Sequence, residues 1–424
     1  MEPELFTLAV MVAVFAGGCF GLKLPVALGL AAASVAGALV AGEGLPLRMF
    51  VEGMFSFFDF ILVIATAMIY MKVLQHTGVL DTLGRQVTEA FYKKPSLLLM
   101  VLMLFILFPG AITGSSTACI FTTGALVAPV MMNLGIPRVQ TAAILAIGSM
   151  LGMIAPPVCL PAMIIGEGLD MPYVGFFLPL TLLTVPLAMI LALAMGRRHI
   201  RRDVDIATLS AAMPPSVFGE YGWRLYLPLV VLFALMIVPK AAPRYVYDPG
   251  LSFSFILSSA VGLFTGRRID FLRTAKDAMK EAIPIMGILV GVGMFIQIMT
   301  LTGARGAFVV TSLTLPKVWL LLAVATAVPL FGAVSAIGSA SVLGVPIALA
   351  LLGKDQILAV SALSLVASIG DLVPPTALAG IFAAQVLQVD NYYSVLRRCL
   401  WPALVIDLVG IAALAYANWI GKLL

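Results

Sequence analysis

Charge is scarce in this chain. Of 424 residues, 11% are Asp, Glu, Lys or Arg and 62% are hydrophobic, where a soluble domain carries about 25% charge. Histidine occurs twice, as His76 and His199, too isolated to suggest a proton relay or a metal site. The four cysteines (Cys19, Cys119, Cys159, Cys399) stand singly in apolar context, with no metal-ligand spacing and no disulfide framework. No GxxxxGK[ST] phosphate loop is present, which argues against ATP hydrolysis by this chain, and no HExxH. These absences argue against an enzyme, soluble or membrane-embedded, and no cofactor is expected. Any driving energy has to come from an ion gradient or a partner. The N-terminus opens with Glu2 and Glu4, not a basic region, so Met1–Leu22 reads as a first span that stays and not as a cleaved signal.

What the chain has is apolar length. Mean hydropathy is +1.12, and uncharged runs cover 95–137, 139–166, 171–196, 282–304 and 318–353. A helix needs roughly 20 residues to cross the hydrocarbon, so 95–137 and 318–353 are long enough to enter and return. Lipid must be the solvent for much of this surface, and the chain is polytopic. Spans are expected near 4–22, 24–42, 56–75, 174–195, 223–239, 251–266, 282–300 and 400–420. Broken or re-entrant segments are expected near 96–130 and 318–350, and further helices near 139–154, 157–166, 357–370 and 374–388. Net charge is +5, which reads as basic loops facing the cytoplasm and not as nucleic-acid binding. The clusters Arg197, Arg198, Arg201, Arg202 and Arg267, Arg268, Arg273, Lys276, Lys280 belong inside, which leaves Lys240–Asp248 outside. Lys276–Glu281 reads equally as a surface helix or a loop.

Two stretches break the apolar pattern in the same order. Pro109–Ala118 (PGAITGSSTA) is followed by Gly152–Pro157 (GMIAPP), and Phe331–Ser341 (FGAVSAIGSAS) by Gly370–Pro375 (GDLVPP). Thr77-Gly78 with Arg85 is likewise echoed by Thr302-Gly303 with Arg305. Pro109-Gly110-Ala111 matches Phe331-Gly332-Ala333, Gly114-Ser115-Ser116 matches Gly338-Ser339-Ala340, and each half ends in a double proline. This is an internal repeat. An odd number of crossings between halves inverts it and an even number makes it parallel; the count through broken segments is open. Paired Gly/Pro-interrupted segments mark the binding site of a membrane transporter. Irregular backbone survives at membrane depth only where protein or a water-filled cavity surrounds it. Pro156-Pro157 and Pro374-Pro375 each remove two donors in succession.

The chemistry of such a site follows. Helix N-termini suit a carboxylate, and freed carbonyls and hydroxyls suit a small cation such as Na⁺. The expected substrate-binding set is Ser115, Ser116, Thr117, Ser335, Ser339, Ser341 and Thr376. The expected Na⁺ set is Gly114, Ser116, Pro156, Gly338, Asp371, Pro374 and Thr376. Asp371 stands out, because an intramembrane carboxylate has to be paired, protonated or ion-bound. Its counterpart is Met153, so the halves are chemically unequal. Asp59 reads as interfacial, Asp407 as paired with another helix, and Gln75, Gln297 and Gln385 as packing or hydrogen-bonding residues. Arg305 reads as interfacial snorkelling.

At this point the chain resembles the large membrane subunit, DctM-like, of the tripartite ATP-independent periplasmic (TRAP) transporters, within the ion transporter superfamily. The features that carry it are Gly21–Gly29 (GLKLPVALG), Gly78–Arg85, Pro109–Ala118 with Gly124 and Pro129, Ile154–Pro157 and their second-half relatives. The resemblance implies an all-α polytopic elevator with two pseudo-symmetric, inverted repeats, each bearing a re-entrant hairpin and a broken helix. Gly114–Thr117 and Gly338–Ser341 would lie at the hairpin turns, Ala155–Val158 and Asp371–Thr376 at the unwound segments. The family usually has Ser or Thr after the paired prolines; Val158 departs from that.

The organisation it implies is 1–75 scaffold helices, 76–196 first transport repeat, 197–300 basic loops and scaffold helices, 301–390 second transport repeat and 391–424 a C-terminal helix. The implied activity is Na⁺-coupled import of an organic acid across a bacterial or archaeal inner membrane. The implied partners are a periplasmic solute-binding protein, with the TAXI variant as an alternative, a separate small membrane subunit, a carboxylate substrate and membrane lipids, without an ATPase. A stand-alone ion-coupled anion symporter or exchanger is the rival expectation.

Overall fold

A computed structural model describes residues 3–201, 206–211, 213–374 and 376–423. Glu2, Arg202 of the first basic cluster and Pro375 of the second double proline lie outside the described residues. The described chain is helical, with no strand. The first half runs α1 (Pro3–Phe20), α2 (Val26–Val40), α3 (Leu47–Phe55), α4 (Phe58–His76), α5 (Val79–Phe91) and α6 (Pro95–Thr113). The chain then returns as α7 (Ser116–Cys119), a π turn (Ile120–Gly124) and α8 (Ala125–Asn133). α9 (Arg138–Ile154) and α10 (Leu160–Gly168) are two pieces of a broken helix, and α11 (Phe177–Gly196) follows. Short α12 (Ile206–Ala211) and α13 (Phe218–Tyr221) connect the halves.

The second half repeats the order: α14 (Leu227–Ala241), α15 (Gly250–Thr265), α16 (Phe271–Leu301), α17 (Ala304–Thr314) and α18 (Lys317–Gly332). The return arm is α19 (Ala336–Ser339), a π turn (Ala340–Gly344) and α20 (Val345–Ala350). Then come α21 (Gln356–Ser368) with a 3₁₀ turn (Ile369–Leu372), α22 (Leu378–Val386), α23 (Tyr392–Ala415) and α24 (Ala417–Ile420). Eight helices among the described residues, the first hairpin's two arms included, are long and apolar enough to cross a membrane.

The repeats are inverted. Helices α4 and α16 are equivalent, each ending in a left-handed glycine, Gly78 (φ 86°) and Gly303 (φ 73°), that starts the next helix. They pack antiparallel. His76, at the end of α4, meets Thr274, in the first turns of α16, at 3.1 Å, while Phe57, just before α4, packs on Gly293 near the far end of α16. The swapped pairs α2 with α16 and α15 with α4 also pack alike, as a two-fold axis in the membrane plane requires. Lys72 and Glu281 form an ion pair across the α4–α16 seam at 2.6 Å. Glu281 is 48% exposed, so the pair is a minor prop. Lys72→Gln should cost under about 1 kcal/mol, read as a small shift in detergent melting temperature.

One end of the bundle gathers the basic loops: the Arg201 N–H donates to the Leu134 carbonyl and the Arg267 N–H to the Thr77 carbonyl. This end is cytoplasmic by the positive-inside rule. The first hairpin therefore enters from the cytoplasm and the second from outside. The α14–α15 loop lies at the outer end, as the charge pattern requires.

Three expectations change. Phe271–Leu301 is one continuous helix, so Lys276–Glu281 is neither a loop nor a separate surface helix. The last long helix starts at Tyr392 and not near 400; Arg397 and Arg398 are exposed, so helical backbone continues through them without burying charge. Helices α3, α5 and α17 were not expected at all. They are short and amphipathic, and carry no membrane-length apolar run.

Candidate functional site

The two breaks arise from the same local physics. A residue before proline is pushed from helical to extended backbone, and both do this: Ala155 has ψ 143° before Pro156, and Val373 has ψ 125° before Pro374. Each loosened strand is tied to the same position of its own hairpin. The Val158 N–H donates to the Ala111 carbonyl at 2.9 Å, and the Thr376 hydroxyl donates to the Ala333 carbonyl at 2.5 Å. Above each tie a glycine pair brings backbones into contact. A Cβ on Gly110 would lie 2.6 Å from the Gly152 carbonyl carbon, and one on Gly332 2.6 Å from the Gly370 Cα. The repeat seen in the sequence is thus a repeated contact.

The hairpin turns differ. In the first, Gly114 adopts φ 65°, a left-handed conformation that costs glycine little. Ser115 then caps the return arm, accepting from the Ala118 N–H at 3.3 Å, and its hydroxyl meets that of Thr117 at 2.8 Å. In the second, the cap is Ser335, which accepts from the Gly338 N–H at 3.2 Å. This corrects the expected alignment: Ser335, not Ser339, is the equivalent of Ser115. Gly338–Ser341 lie in the return arm and not at the turn, because the second hairpin reaches its cap three residues after the matched glycine (Gly332 to Ser335) where the first takes five (Gly110 to Ser115). The π turns Ile120–Gly124 and Ala340–Gly344 fix that register.

The halves interlock at the centre. Half-helix α22 packs on α9 and on the first hairpin, and α10 packs on α21 and on the second. The first hairpin's tip reaches the second break directly: the Ser116 hydroxyl donates to Asp371 Oδ2 at 2.5 Å, and both side chains are buried. Gly114 sits against Leu160, the first residue of α10. Among the expected residues the structure therefore joins Ser116 with Asp371, Ser115 with Thr117, and Thr376 with the base of the second hairpin. Ser339 and Ser341 are fully buried and engage backbone, Ser339 donating to the Val328 carbonyl at 2.6 Å and Ser341 to the Gly338 carbonyl at 2.8 Å. Gly338 packs near Phe15 of α1.

Pro156 and Pro374 open onto different spaces. Pro156 lines an outer cavity of about 610 Å³ together with Pro157, Tyr173, Val174, Lys240 and Asp248. The Tyr173 hydroxyl accepts from the Cys159 N–H at 3.3 Å, at the start of α10. Burial, with Cys159 nearby, holds its phenol well above the usual value, so it keeps its proton. Pro374 lines an apolar groove of about 460 Å³ beside α23 that also holds Arg397 and Asp407. Asp407 Oδ1 has no hydrogen-bond partner, against the expectation that this residue pairs with another helix. A third cavity, of about 380 Å³, opens at the cytoplasmic end between Gln75, Asp81 and the first hairpin's Thr122 and Thr123.

Asp59 lies exposed in the first turn of α4, as expected of an interfacial residue. Arg305 does more than snorkel. Its guanidinium donates to the Gly168 carbonyl, tying α17 to the end of α10. Sequence reasoning also missed Tyr173 and Lys240. Both sit in loops or at helix ends without a motif, and the only available signal was the pair of cations, Lys240 and Arg244, in the short segment between two spans. Among the described residues no cluster of three His, Cys, Asp or Glu side chains forms a metal site.

A family model described as "Tripartite ATP-independent periplasmic transporter, DctM component" matches residues 8–420. No curated protein matches the sequence. Among solved structures, the YdaH transporter of Alcanivorax borkumensis, described as having an unusual topology, is similar with a TM-score of 0.62 and 17% identity over 89% of this chain and 90% of that one. At that identity the likeness concerns the fold alone.

Proposed function

We propose that this chain, which belongs to the DctM component family of the tripartite ATP-independent periplasmic transporters, imports an organic acid together with Na⁺ by an elevator movement. Membership makes it a polytopic secondary transporter. The finer reading rests on one observation: Asp371, buried at the second break, is held by Ser116 from the tip of the first hairpin. A carboxylate and a hydroxyl from opposite repeats form an oxygen-donor set suited to a hard monovalent cation. A cation bound there neutralises the carboxylate, so that an anion can sit beside the N-terminal ends of the return arms, capped by Ser115 and Ser335.

The order of events follows from charge. Without the cation an incoming carboxylate meets Asp371 and is repelled; with it, cation and anion cross the hydrocarbon together at lower desolvation cost. The moving body comprises the hairpins and broken helices, roughly 76–196 and 301–390, and the remaining long helices brace it. A periplasmic binding protein delivers the acid at the outer face and a separate small membrane subunit supports the brace in the inner membrane.

The reading is tested by uptake into proteoliposomes with the binding protein present. An inward Na⁺ gradient is expected to raise uptake at least about tenfold over equal Na⁺, as expected when each transported acid requires a co-bound cation. Uptake indifferent to Na⁺ overturns the coupling. Uptake that needs no binding protein points instead to a stand-alone carrier.

A further inference from the structure

We propose that the outer cavity between α14–α15 and the first break is a relay site for carboxylates, with Lys240 as its anchoring cation and Tyr173 as its second donor. The inference rests on the proposed carriage of an organic acid and adds where that acid first binds.

The cavity, of about 610 Å³, is large enough for a small organic acid. It spans from the outer α14–α15 loop down to Pro156 and Pro157, so it connects the outside with an unwound segment. Lys240 stands in the last turn of α14 and forms no ion pair or hydrogen bond among the described residues. Asp248 lines the same cavity, but it accepts from the Gly250 N–H at 2.9 Å at the start of α15, and its carboxylate is not within 4.0 Å of the Lys240 ammonium. Lys240 is exposed and lines the cavity, so its ammonium has no protein partner to give up before it meets an anion.

On the opposite wall, the Tyr173 hydroxyl accepts from Cys159, which leaves its own O–H free to donate. The ring is held in place by stacking on Phe176, with centroids 5.1 Å apart and planes 9° from parallel. A cation on one wall and a fixed O–H on the other match the two needs of a carboxylate, charge and orientation. Tyr173 belongs to the α10–α11 loop, and its hydroxyl meets the Cys159 N–H at the N-terminal end of α10, so a carboxylate released from Lys240 moves toward that helix end. The walls belong to different parts: Lys240 to the bracing helices, Tyr173 to the loop that follows the first broken helix. Movement of one past the other separates the two donors and so releases the acid inward.

The test does not require transport. Val174 lines the cavity and is 69% exposed, so Val174→Cys places a reporter thiol there without disturbing packing. Its modification rate is measured with a sulfonate-bearing and with a trimethylammonium-bearing methanethiosulfonate, against the same chain lacking the added cysteine. Lys240→Gln is expected to lower the anionic-to-cationic rate ratio about five- to tenfold, a near-surface point-charge effect, and Lys240→Arg to restore it. Any effect of Lys240 on thiol ionisation cancels in the ratio. Succinate at millimolar concentration is expected to slow modification, and its neutral analogue succinamide is not; the slowing should weaken in Tyr173→Phe and vanish in Lys240→Gln. An unchanged ratio in Lys240→Gln, or equal effects of succinate and succinamide, overturns the relay site. Failure of Na⁺-driven uptake with these labelling results intact would instead remove the proposed import function.

Discussion

Replacing Asp371 with Asn is expected to weaken the apparent Na⁺ affinity of uptake by about 30- to 100-fold. Losing a charge-assisted hydrogen bond at a buried site costs about 2–3 kcal/mol, and each 1.4 kcal/mol is about tenfold. Asn keeps the size and one acceptor oxygen, so the fold should survive and the change be confined to the ion. Ser116→Ala removes the partner hydroxyl and should act in the same direction but less, about tenfold. The double variant should fall short of the sum of the two effects, because both substitutions act on the same cation's donor set. The measurement is initial uptake in proteoliposomes across a range of Na⁺ concentrations. If Asp371→Asn keeps the wild-type Na⁺ curve, the carboxylate is no part of coupling, and the Ser116 bond is only a structural link between repeats.

The second large effect is steric. Gly110→Ala and Gly332→Ala each place a methyl where the backbone of the broken helix already stands, 2.6 Å from Gly152 and from Gly370 respectively. Side-chain ends can give way, but these neighbours are helix backbone held by their own hydrogen bonds. Overpacking costs about 1–3 kcal/mol when side chains can adjust, and rigid backbone puts these sites at or above the top of that range. The expected result is a large loss of detergent-stable protein, or a melting temperature lowered by several degrees. Gly306→Ala is the control, since nothing lies within 4 Å of a Cβ there, and on the exposed face of α17 alanine should be neutral or slightly stabilising. If Gly332→Ala melts like Gly306→Ala, the hairpin and the broken helix are not in backbone contact in the protein.

These two predictions also show how unevenly the sequence carried its information. The glycines and double prolines were legible because their constraints are local. Proline removes its own N–H and restricts the residue before it, so the breaks at Ala155 and Val373 needed no knowledge of their neighbours. Gly110 and Gly332 could be paired by order along the chain. The register of the second hairpin was misread, because its entering arm ends sooner after the matched glycine and its cap, Ser335, lies upstream of the Gly338 that resembles Gly114. A one-dimensional match follows residue types; the cap is fixed by which hydroxyl can reach an N–H three residues on. The short helices α5 and α17 escaped for a related reason. Half of each faces the bundle and half faces water or headgroups, so neither has the length or uniformity that marks a span.

By itself the sequence determined that this is a multi-spanning helical protein, that it contains a repeated, twice-broken motif, and that it holds a carboxylate at one break only. Each of these depends on composition or on constraints within a few residues. The tertiary structure decided which way the repeats face and which residues meet. Antiparallel packing of α4 on α16 made the repeats inverted, and that inversion carried Ser116 to Asp371, a residue of the other half. It also set Lys240 across a cavity from Tyr173. Such meetings depend on packing between segments far apart in the chain, where no local rule of spacing operates.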